Sequence, residues 1–156
     1  MTVTAVSPEV LRSVPMFSNL SQPSLAALQN RIQTEDAPEG TLVFSEGQRG
    51  DRMYIVTQGA VQITRQIEGV GEDQLAMCRE GDYFGELSLI DNSPRSANAR
   101  AIEPTKLLVL RKAQLEELMF EDHAFAREFL WVLVLHLTVR LRENNEKLRA
   151  AYQMGL

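Results

Sequence analysis

The spacing of apolar and polar residues divides the chain into stretches with different periodicities. Residues 8–33 and residues 112–153 contain apolar side chains at intervals of three and four, which predicts helices with one buried face. Residues 34–111 contain short apolar runs separated by turn residues, a texture typical of antiparallel strands. The pattern therefore predicts one α+β domain over residues 1–156, in which an antiparallel β-roll of the jelly-roll type lies between N-terminal helices and a long C-terminal helix.

The helical prelude, residues 8–33, contains two predicted helices that each begin after a serine. Ser7 stands before Pro8 and an acidic residue, and this combination favours a helix that ends near Val14. Ser21 is the corresponding start of the second helix, which carries its own apolar face. The proline that follows Val14 is expected to break the first helix.

Short apolar runs in the central stretch are predicted as the strands of the roll. Val61 and Ile63 alternate with polar residues, so both are expected on one face of their strand. Residues 46–54 are interpreted as structural rather than as a ligand site: Gly47 and Gly50 turn corners and Tyr54 packs. The predicted strands are residues 41–44, 53–56, 61–64, 74–77 and 107–110.

A long C-terminal helix is predicted from His123 to about Gln153, with Asp122 as its N-cap. Its apolar residues recur at alternating spacings of four and three, which favours packing against a second helix. We therefore favour a homodimer, while a single amphipathic helix folded onto its own domain remains the alternative. Asn144 occupies one position of this seam, whose apolar members are Leu130, Val134, Leu137, Leu141 and Leu148.

Other faces of the C-terminal helices are assigned from the same periodicity. Phe129, Leu133 and Trp131 are predicted to cover the β-roll. A shorter helix before residue 122 has its own apolar face, and a hinge is expected near residues 116–122. The basic residues of the long helix alternate with glutamates, which predicts a solvated face; they are Arg140, Arg142, Lys147 and Arg149.

Composition excludes several classes of protein. With 156 residues, 44% hydrophobic and 24% charged, the chain is long enough for a core and ordinary for a globular domain. The net charge of −5 argues against a general nucleic-acid binder. No apolar run is long enough to span a membrane, and the N-terminus lacks the features of a signal peptide. A single cysteine, Cys78, excludes an internal disulfide and suggests a cytoplasmic location.

Enzymatic chemistry finds little support in the sequence. A metal-dependent β-barrel enzyme would need two or more histidines and a carboxylate converging from strands. The chain has two histidines, His123 and His136, and both fall on the predicted helix. Neither is placed to act as a base for Cys78. We therefore predict a protein without catalytic residues, metal or cofactor.

Residues 81–101 carry the most distinctive group of polar residues. Gly85 tolerates a positive φ angle or a close approach of backbone to a ligand. The residues after it, 86–90, are long enough for about one helical turn, whose free N–H groups favour an anion. Pro94 then fixes the chain before Arg95, whose guanidinium suits phosphate oxygens.

A carboxylate beside this anion cradle narrows the ligand. Glu86 would be repelled by a multiply charged phosphate, but it can accept a hydrogen bond from a sugar hydroxyl. Ser96 adds a hydroxyl, and Ala97 is small enough for its backbone N–H to reach the anion. A cyclic nucleotide, with a singly charged phosphodiester and a free ribose 2′-OH, meets these requirements.

The same residues closely resemble the phosphate-binding cassette of cyclic nucleotide-binding domains, of the type found in cAMP-dependent kinase regulatory subunits and the catabolite activator protein. The family pattern F-G-E-[LI]-[AS]-L, a variable loop and P-R-[AST]-A corresponds to Phe84-Gly85-Glu86-Leu87-Ser88-Leu89 and Pro94-Arg95-Ser96-Ala97. Two separated halves make this match more specific than a lone glycine motif.

The resemblance implies a role for each cassette residue. Glu86 would hold the ribose 2′-OH, and Arg95 would pair with the cyclic phosphate, helped by Ser96 and by backbone N–H groups. The cassette members of the ligand set are Gly85, Glu86, Leu87, Ser88, Arg95, Ser96 and Ala97.

Alignment with the family also implies residues near the base. Asn144 and Asn145 fall where dimeric members contact the adenine edge, one residue from each subunit, and an amide can donate and accept there. This chain departs from the family's residue types at both positions, and an ordinary solvated pair is the alternative. Ile63 and Cys78 are placed near the base by the same alignment, and Cys78 is also explained as a small hydrophobe within a strand.

The sequence thus predicts a cyclic nucleotide receptor for cAMP that signals through its C-terminal helix to an unidentified protein, without direct contact to nucleic acid or membrane. When the ligand binds, Leu87 and Leu89 are expected to gain a new packing surface. A cGMP-binding module is one alternative, since Ser96 offers a hydroxyl for guanine. A degenerate module that acts as a dimerising adaptor is another.

Overall fold

The computed structural model describes residues 6–155, and its N-terminal part is a pair of short helices. Helix α1 spans Pro8–Ser13 and helix α2 spans Gln22–Gln29. Each begins at its predicted serine, whose hydroxyl accepts a hydrogen bond from a first-turn N–H. Between the two helices, Pro15–Phe17 forms a 3₁₀ turn with two buried side chains, so the break after α1 is itself part of the core.

Antiparallel strands form the middle of the fold, as predicted. They are β1 Gln33–Ala37, β2 Leu42–Phe44, β3 Arg52–Gln58, β4 Ala60–Ile67, β5 Gly71–Arg79, β6 Tyr83–Phe84, β7 Asn98–Ala101 and β8 Thr105–Arg111. One sheet has the order β1-β8-β3-β6 and the other has the order β2-β7-β4-β5. The apolar pattern does not predict β1, β6 or β7, because β1 is mostly polar, β6 is very short and β7 buries only alanines.

The two sheets differ in how they are buried. In β3, Met53 and Ile55 pack against the helices, while Tyr54 and Val56 pack between the sheets. Burial on both faces explains why residues 53–56 form a continuous apolar run. In β4, Val61 and Ile63 face the space between the sheets, and the intervening Gln62 bonds to Gln74 of β5. The predicted alternation of this strand is confirmed.

Two helices complete the fold. Helix α3 spans Lys112–Glu121 and helix α4 spans His123–Gln153. Asp122 separates them in an extended conformation and caps α4 by accepting a 3.0 Å hydrogen bond from the Phe125 N–H. The predicted start and end of the long helix are therefore confirmed, and the expected hinge region ends at this non-helical residue.

Helix α4 packs its apolar side chains on the domain through its first half, and Arg140 adds a polar contact just beyond the midpoint. Phe129 and Leu133 are buried as predicted, but Trp131 is 64% exposed. The prediction that Trp131 covers the roll is wrong, because two residues turn the helix by about 200° and so place Trp131 opposite Leu133. Residues 141–150 are all exposed. The proposed seam remains a prediction: Leu137 packs on the core, and four members are exposed, namely Leu130, Val134, Leu141 and Leu148.

Candidate functional site

The cassette follows β6 and begins at Gly85. This glycine has a left-handed backbone with φ of +75°, and a 3₁₀ turn over Glu86–Leu89 follows it. A Cβ atom at this position would lie 2.7 Å from Nη1 of Arg95. The predicted positive φ and helical turn are thus present, and the close neighbour that requires glycine is the cassette's own arginine.

Arg95 is 6% exposed and is held by neutral acceptors. Its Nη1 donates to the Gly85 carbonyl at 3.0 Å and to the Ser88 hydroxyl at 2.9 Å. Its Nη2 donates to the Arg52 carbonyl at 2.8 Å, and its Cζ lies 4.1 Å from the centre of the Phe44 ring. These contacts fix the guanidinium without neutralising it.

The charge of Arg95 has no ion-pair partner among the described residues. Burial lowers the pKa of its guanidinium from the ordinary value, yet an arginine side chain stays protonated in proteins. A buried cation without a counter-ion is costly, and an anionic ligand would remove that cost. This is the electrostatic feature that most favours an anion at the cassette.

Gly50 lies against the same guanidinium. A Cβ there would approach Nε of Arg95 to 2.5 Å and would also collide with the Ser88 hydroxyl. Gly50 does not have a positive φ angle, whereas Gly47 has φ of +82°. Gly47 therefore turns a corner as predicted, but the predicted corner at Gly50 is wrong: glycine is needed there because Arg95 packs on it.

Glu86 is 5% exposed and forms an ion pair with Arg140 of α4. Arg140 also donates from Nη2 to the Tyr83 carbonyl at 3.0 Å, and its Cζ lies 4.3 Å from the centre of the Tyr83 ring. Burial is the largest single influence on the pKa of Arg140 and would lower it. The charge and hydrogen bond of Glu86, together with Tyr83 and Cys78, outweigh burial, and the pKa is raised. The pair joins the cassette directly to the long helix.

Placing Arg140 on a solvated face was the wrong prediction. Arg140 lies three residues after Leu137 and seven after Leu133, so helical geometry puts all three on the face that packs on the domain. The helical spacing from Leu133 and Leu137 could have predicted that Arg140 faces the domain. The alternation of basic and acidic residues around Arg140 suggested a solvated face instead. Arg142 is exposed, as predicted.

The remaining cassette residues differ in exposure. Ser96 is exposed, whereas Ala97 is buried. Ser88 is buried and its hydroxyl accepts from Arg95, so its side chain supports the arginine. Leu87 is 52% exposed, but Leu89 is 7% exposed and already belongs to the core beneath the helices. Of the two leucines expected to gain a packing surface, only Leu87 has an exposed side chain in this structure.

An apolar wall lies between the sheets near the cassette. Cys78 of β5 pairs with Val61 of β4 and is 6% exposed, and Ile63 packs against the same cluster. Burial raises the pKa of the Cys78 thiol to about 11, so this side chain stays neutral and behaves as a small hydrophobe. Both residues that the sequence places near the base therefore lie on the inner side of the roll.

Asn144 and Asn145 are not brought to the cassette within one chain. Both lie on the exposed second half of α4, beyond the ion pair of Arg140. Their predicted contact with the base, with one of the two residues from each subunit of a dimer, stays a prediction.

The two histidines lie in different surroundings: His136 packs against an aromatic ring, and His123 lies at the start of α4. His136 meets the Tyr83 ring edge-on at 5.6 Å, and burial lowers the pKa of its imidazole. His123 is exposed at the first position of α4. Within residues 6–155, no three histidine, cysteine or acidic side chains cluster in a way that could hold a metal ion. In the same range, none of the helices is both long and apolar enough to cross a membrane.

Comparisons with a family model, known sequences and solved structures all relate this chain to the same protein family. A family model described as "Cyclic nucleotide-binding domain" matches residues 34–122. A "CRP-like cAMP-activated global transcriptional regulator" of Mycobacterium tuberculosis is 32% identical over 140 residues, which are 90% of this chain and 61% of that protein. A "cAMP-dependent protein kinase regulatory subunit" of Mycosarcoma maydis is 32% identical over 116 residues, 74% of this chain and 22% of that protein.

A solved structure shares the fold as well. The crystal structure of Thermus thermophilus catabolite activator protein superposes with a TM-score of 0.77 at 31% sequence identity. The match covers 88% of this chain and 63% of that chain. This chain therefore corresponds to only part of each of these three proteins.

Proposed function

The chain belongs to the cyclic nucleotide-binding domain family, and on that premise we propose that it is a non-catalytic receptor for cAMP. The observation that carries the proposal is the pair of buried, oppositely charged side chains in one cassette. Arg95 has no counter-ion within residues 6–155, and Glu86 is held by a residue of another element. One ligand that carries both an anion and a hydroxyl would satisfy both.

The cyclic phosphate binds at Arg95. A phosphodiester bears a single negative charge, so it neutralises the buried guanidinium without repelling the nearby carboxylate. The three neutral acceptors hold Arg95 in place before the ligand arrives, and little side-chain entropy is lost on binding. The exposed Ser96 and the backbone N–H of Ala97 complete the phosphate contacts.

The ribose 2′-OH binds at Glu86. A carboxylate has enough lone pairs to accept from this hydroxyl and from Arg140 together. Binding therefore changes the geometry or the strength of the ion pair between Glu86 and Arg140. Because Arg140 belongs to α4, the sugar acts directly on the position of that helix.

The helix then transmits occupancy to a partner protein. Helix α4 meets α3 at the non-helical residue Asp122, and this residue is the pivot about which α4 changes position. A ligand shifts the helix only by its difference in affinity for the two positions. The exposed seam residues of α4 pair with a second copy of the chain, and this dimer brings Asn145 of one subunit towards the base held by the other.

A cGMP-binding module is the alternative that one observation favours. The Ser96 hydroxyl is exposed next to Arg95, where it can bond to a guanine amino group. A competitive titration of cAMP and cGMP against a fluorescent cyclic nucleotide tests both proposals. We expect cAMP to displace the probe at lower concentration than cGMP. Stronger displacement by cGMP would favour the alternative, and no binding of either nucleotide would favour an adaptor that has lost its ligand.

A further inference from the structure

A cavity lies beside Arg95 and is otherwise lined by residues outside the cassette. Its volume is about 560 Å³, within the range of small-molecule sites. It is walled by β1, the end of β2 and the loop that enters β3, and we call it the loop cavity. Arg95 lines it, whereas Glu86, Ser96 and Ala97 do not. The loop cavity therefore shares Arg95 with the site proposed for the cyclic nucleotide, but none of these other three cassette residues.

The side chains that line the loop cavity are mostly polar and charged. The charged residues are three arginines, Arg49, Arg52 and Arg95, and two acids, Glu35 and Asp51. Arg52 already pairs with Asp51, with Nε to Oδ1 at 2.8 Å. The remaining charges are two arginines and one glutamate, so the unpaired groups leave an excess of one positive charge.

Tyr54 contributes an unused polar group. Its side chain is 5% exposed and lines the cavity, and its hydroxyl makes no hydrogen bond within residues 6–155. The hydroxyl oxygen is not fully enclosed by protein atoms. Because the side chain lines the cavity, the hydroxyl opens into it. Burial raises the pKa of this hydroxyl, which keeps it protonated and able to donate.

The shape of the lining restricts the ligand further. Only Val43 and Phe44 are apolar, and Arg95 already covers the Phe44 ring at 4.1 Å. The Tyr54 ring also lines the cavity, but it stacks on Phe84 with ring centres 5.1 Å apart and is 5% exposed, so little aromatic surface is offered to a flat base. The lining therefore favours a ligand with one anionic group and several hydroxyl groups.

From these contacts we propose that the loop cavity binds a small sugar phosphate. Its phosphate lies at Arg49, and its hydroxyl groups bond to Glu35 and Tyr54. Arg49 is exposed and makes no hydrogen bond or ion pair through its side chain with other described residues, so it is available for the phosphate. Arg guanidinium groups bind phosphate oxygens in a bidentate manner.

Binding in the loop cavity is coupled to the cassette through backbone hydrogen bonds. The Arg95 N–H donates to the Gln48 carbonyl at 2.8 Å, and the Gly47 N–H donates to the Arg95 carbonyl at 2.9 Å. A sugar phosphate that orders this loop changes the position of Arg95. By linkage, the nucleotide must then change sugar phosphate affinity by the same factor.

Ribose 5-phosphate is a suitable probe, with ribose and inorganic phosphate as separate arms. Each is titrated into the ¹⁵N-labelled protein without nucleotide, and backbone amide shifts are followed. We expect saturable binding of ribose 5-phosphate, with the largest shifts at Arg49 and Tyr54 and smaller shifts at Ser96 and Ala97. The Arg49→Gln variant should bind about tenfold more weakly, the loss expected for one charged hydrogen bond. Glu35→Gln should weaken ribose 5-phosphate but not inorganic phosphate.

Arg142→Gln is the matched control, since Arg142 is an exposed arginine on α4, and it should bind like the unmodified chain. Three results would overturn the proposal: no saturation by about 10 mM ligand, equal affinity for inorganic phosphate, or shifts confined to the cassette. Because no nucleotide is needed, failure of this test leaves the proposed cAMP receptor function untouched. Failure of cAMP binding likewise leaves the loop cavity untouched.

Discussion

The two charged residues of the cassette are held in different ways. Arg95 is fixed by acceptors of the cassette and the start of β3, namely Gly85, Ser88 and Arg52. Glu86 is held by Arg140, which belongs to the C-terminal helix. The arginine side of the cassette is therefore complete within the roll and its loops, whereas the glutamate side depends on an element that packs from outside.

We infer from this difference that Arg95 mainly determines ligand affinity, whereas Glu86 and Arg140 transmit ligand binding to the helix. A cation that is positioned before binding loses little entropy and provides most of the attraction for an anion. A carboxylate shared between a ligand and a helix instead couples occupancy to helix position. We therefore expect changes at Arg95 to affect binding strongly, and changes at Arg140 to affect the helix more than the affinity.

The largest expected effect is the loss of the buried cation. Arg95→Ala should weaken cAMP binding by about 2–5 kcal/mol, because the desolvated phosphate loses its charged partner. Isothermal titration calorimetry measures the change, and Arg142→Ala is the matched control. Thermal unfolding without ligand must show that the variant is folded. Unchanged affinity in a folded Arg95→Ala protein would mean that the phosphate does not bind there.

Ligand binding should also stabilise the whole domain. At a concentration about a hundredfold above its dissociation constant, cAMP should add about 2.7 kcal/mol to the free energy of unfolding. For a domain of this size that is a rise of roughly 5–10 °C in Tm. Differential scanning fluorimetry with adenosine as the control measures the shift. The absence of any shift with either cyclic nucleotide would reject a receptor function.

Gly50 tests whether Arg95 is held by the roll. Gly50→Ala introduces a Cβ against the guanidinium and the Ser88 hydroxyl, and such overpacking costs about 1–3 kcal/mol. We expect lower stability in urea and weaker cAMP binding, since Arg95 must move. Normal affinity together with lower stability would show that the arginine can shift without consequence for the ligand.

The cassette itself could be predicted from the sequence because its residues are close together along the chain. Gly85, Glu86 and Arg95 lie within one short segment, and their chemistry is legible without knowledge of the fold. Arg140 could not be paired with Glu86 in the same way, because 54 positions separate them and only folding brings α4 to the cassette. The helical phase of Leu133 and Leu137 identifies the face of Arg140, but not its partner.

The apolar pattern predicts those strands in which several consecutive residues are buried. Residues 53–56 and 107–110 are buried on both faces and give continuous apolar runs, so the pattern identifies β3 and β8. Strand β1 lies at a sheet edge and carries charged residues, and β7 fills its inner face with Ala99 and Ala101. Small or polar residues leave no apolar signal, although the backbone pairs normally.

The glutamate side should give the smallest effect on cAMP affinity. Arg140→Gln leaves the buried carboxylate of Glu86 without its cation, and because Arg140 is 38% exposed, water can partly replace that cation. We therefore expect a loss of stability below that of a fully buried pair, which is about 3–5 kcal/mol. We expect increased hydrogen exchange in α4 without ligand, and Arg142→Gln should behave like the unmodified chain. Unchanged exchange in Arg140→Gln would show that the ion pair does not hold the helix.

The most direct test of the account compares cAMP with 2′-deoxy-cAMP on the unmodified chain and on Glu86→Gln. The account predicts that removal of the 2′-OH weakens binding to the unmodified chain by about 1.5–3 kcal/mol, the value of a hydrogen bond to a charged group. The same removal should cost much less in Glu86→Gln, because the carboxylate partner is already absent. Equal losses in both proteins would show that the sugar is not bound by Glu86, and would contradict the division of roles between the two sides of the cassette.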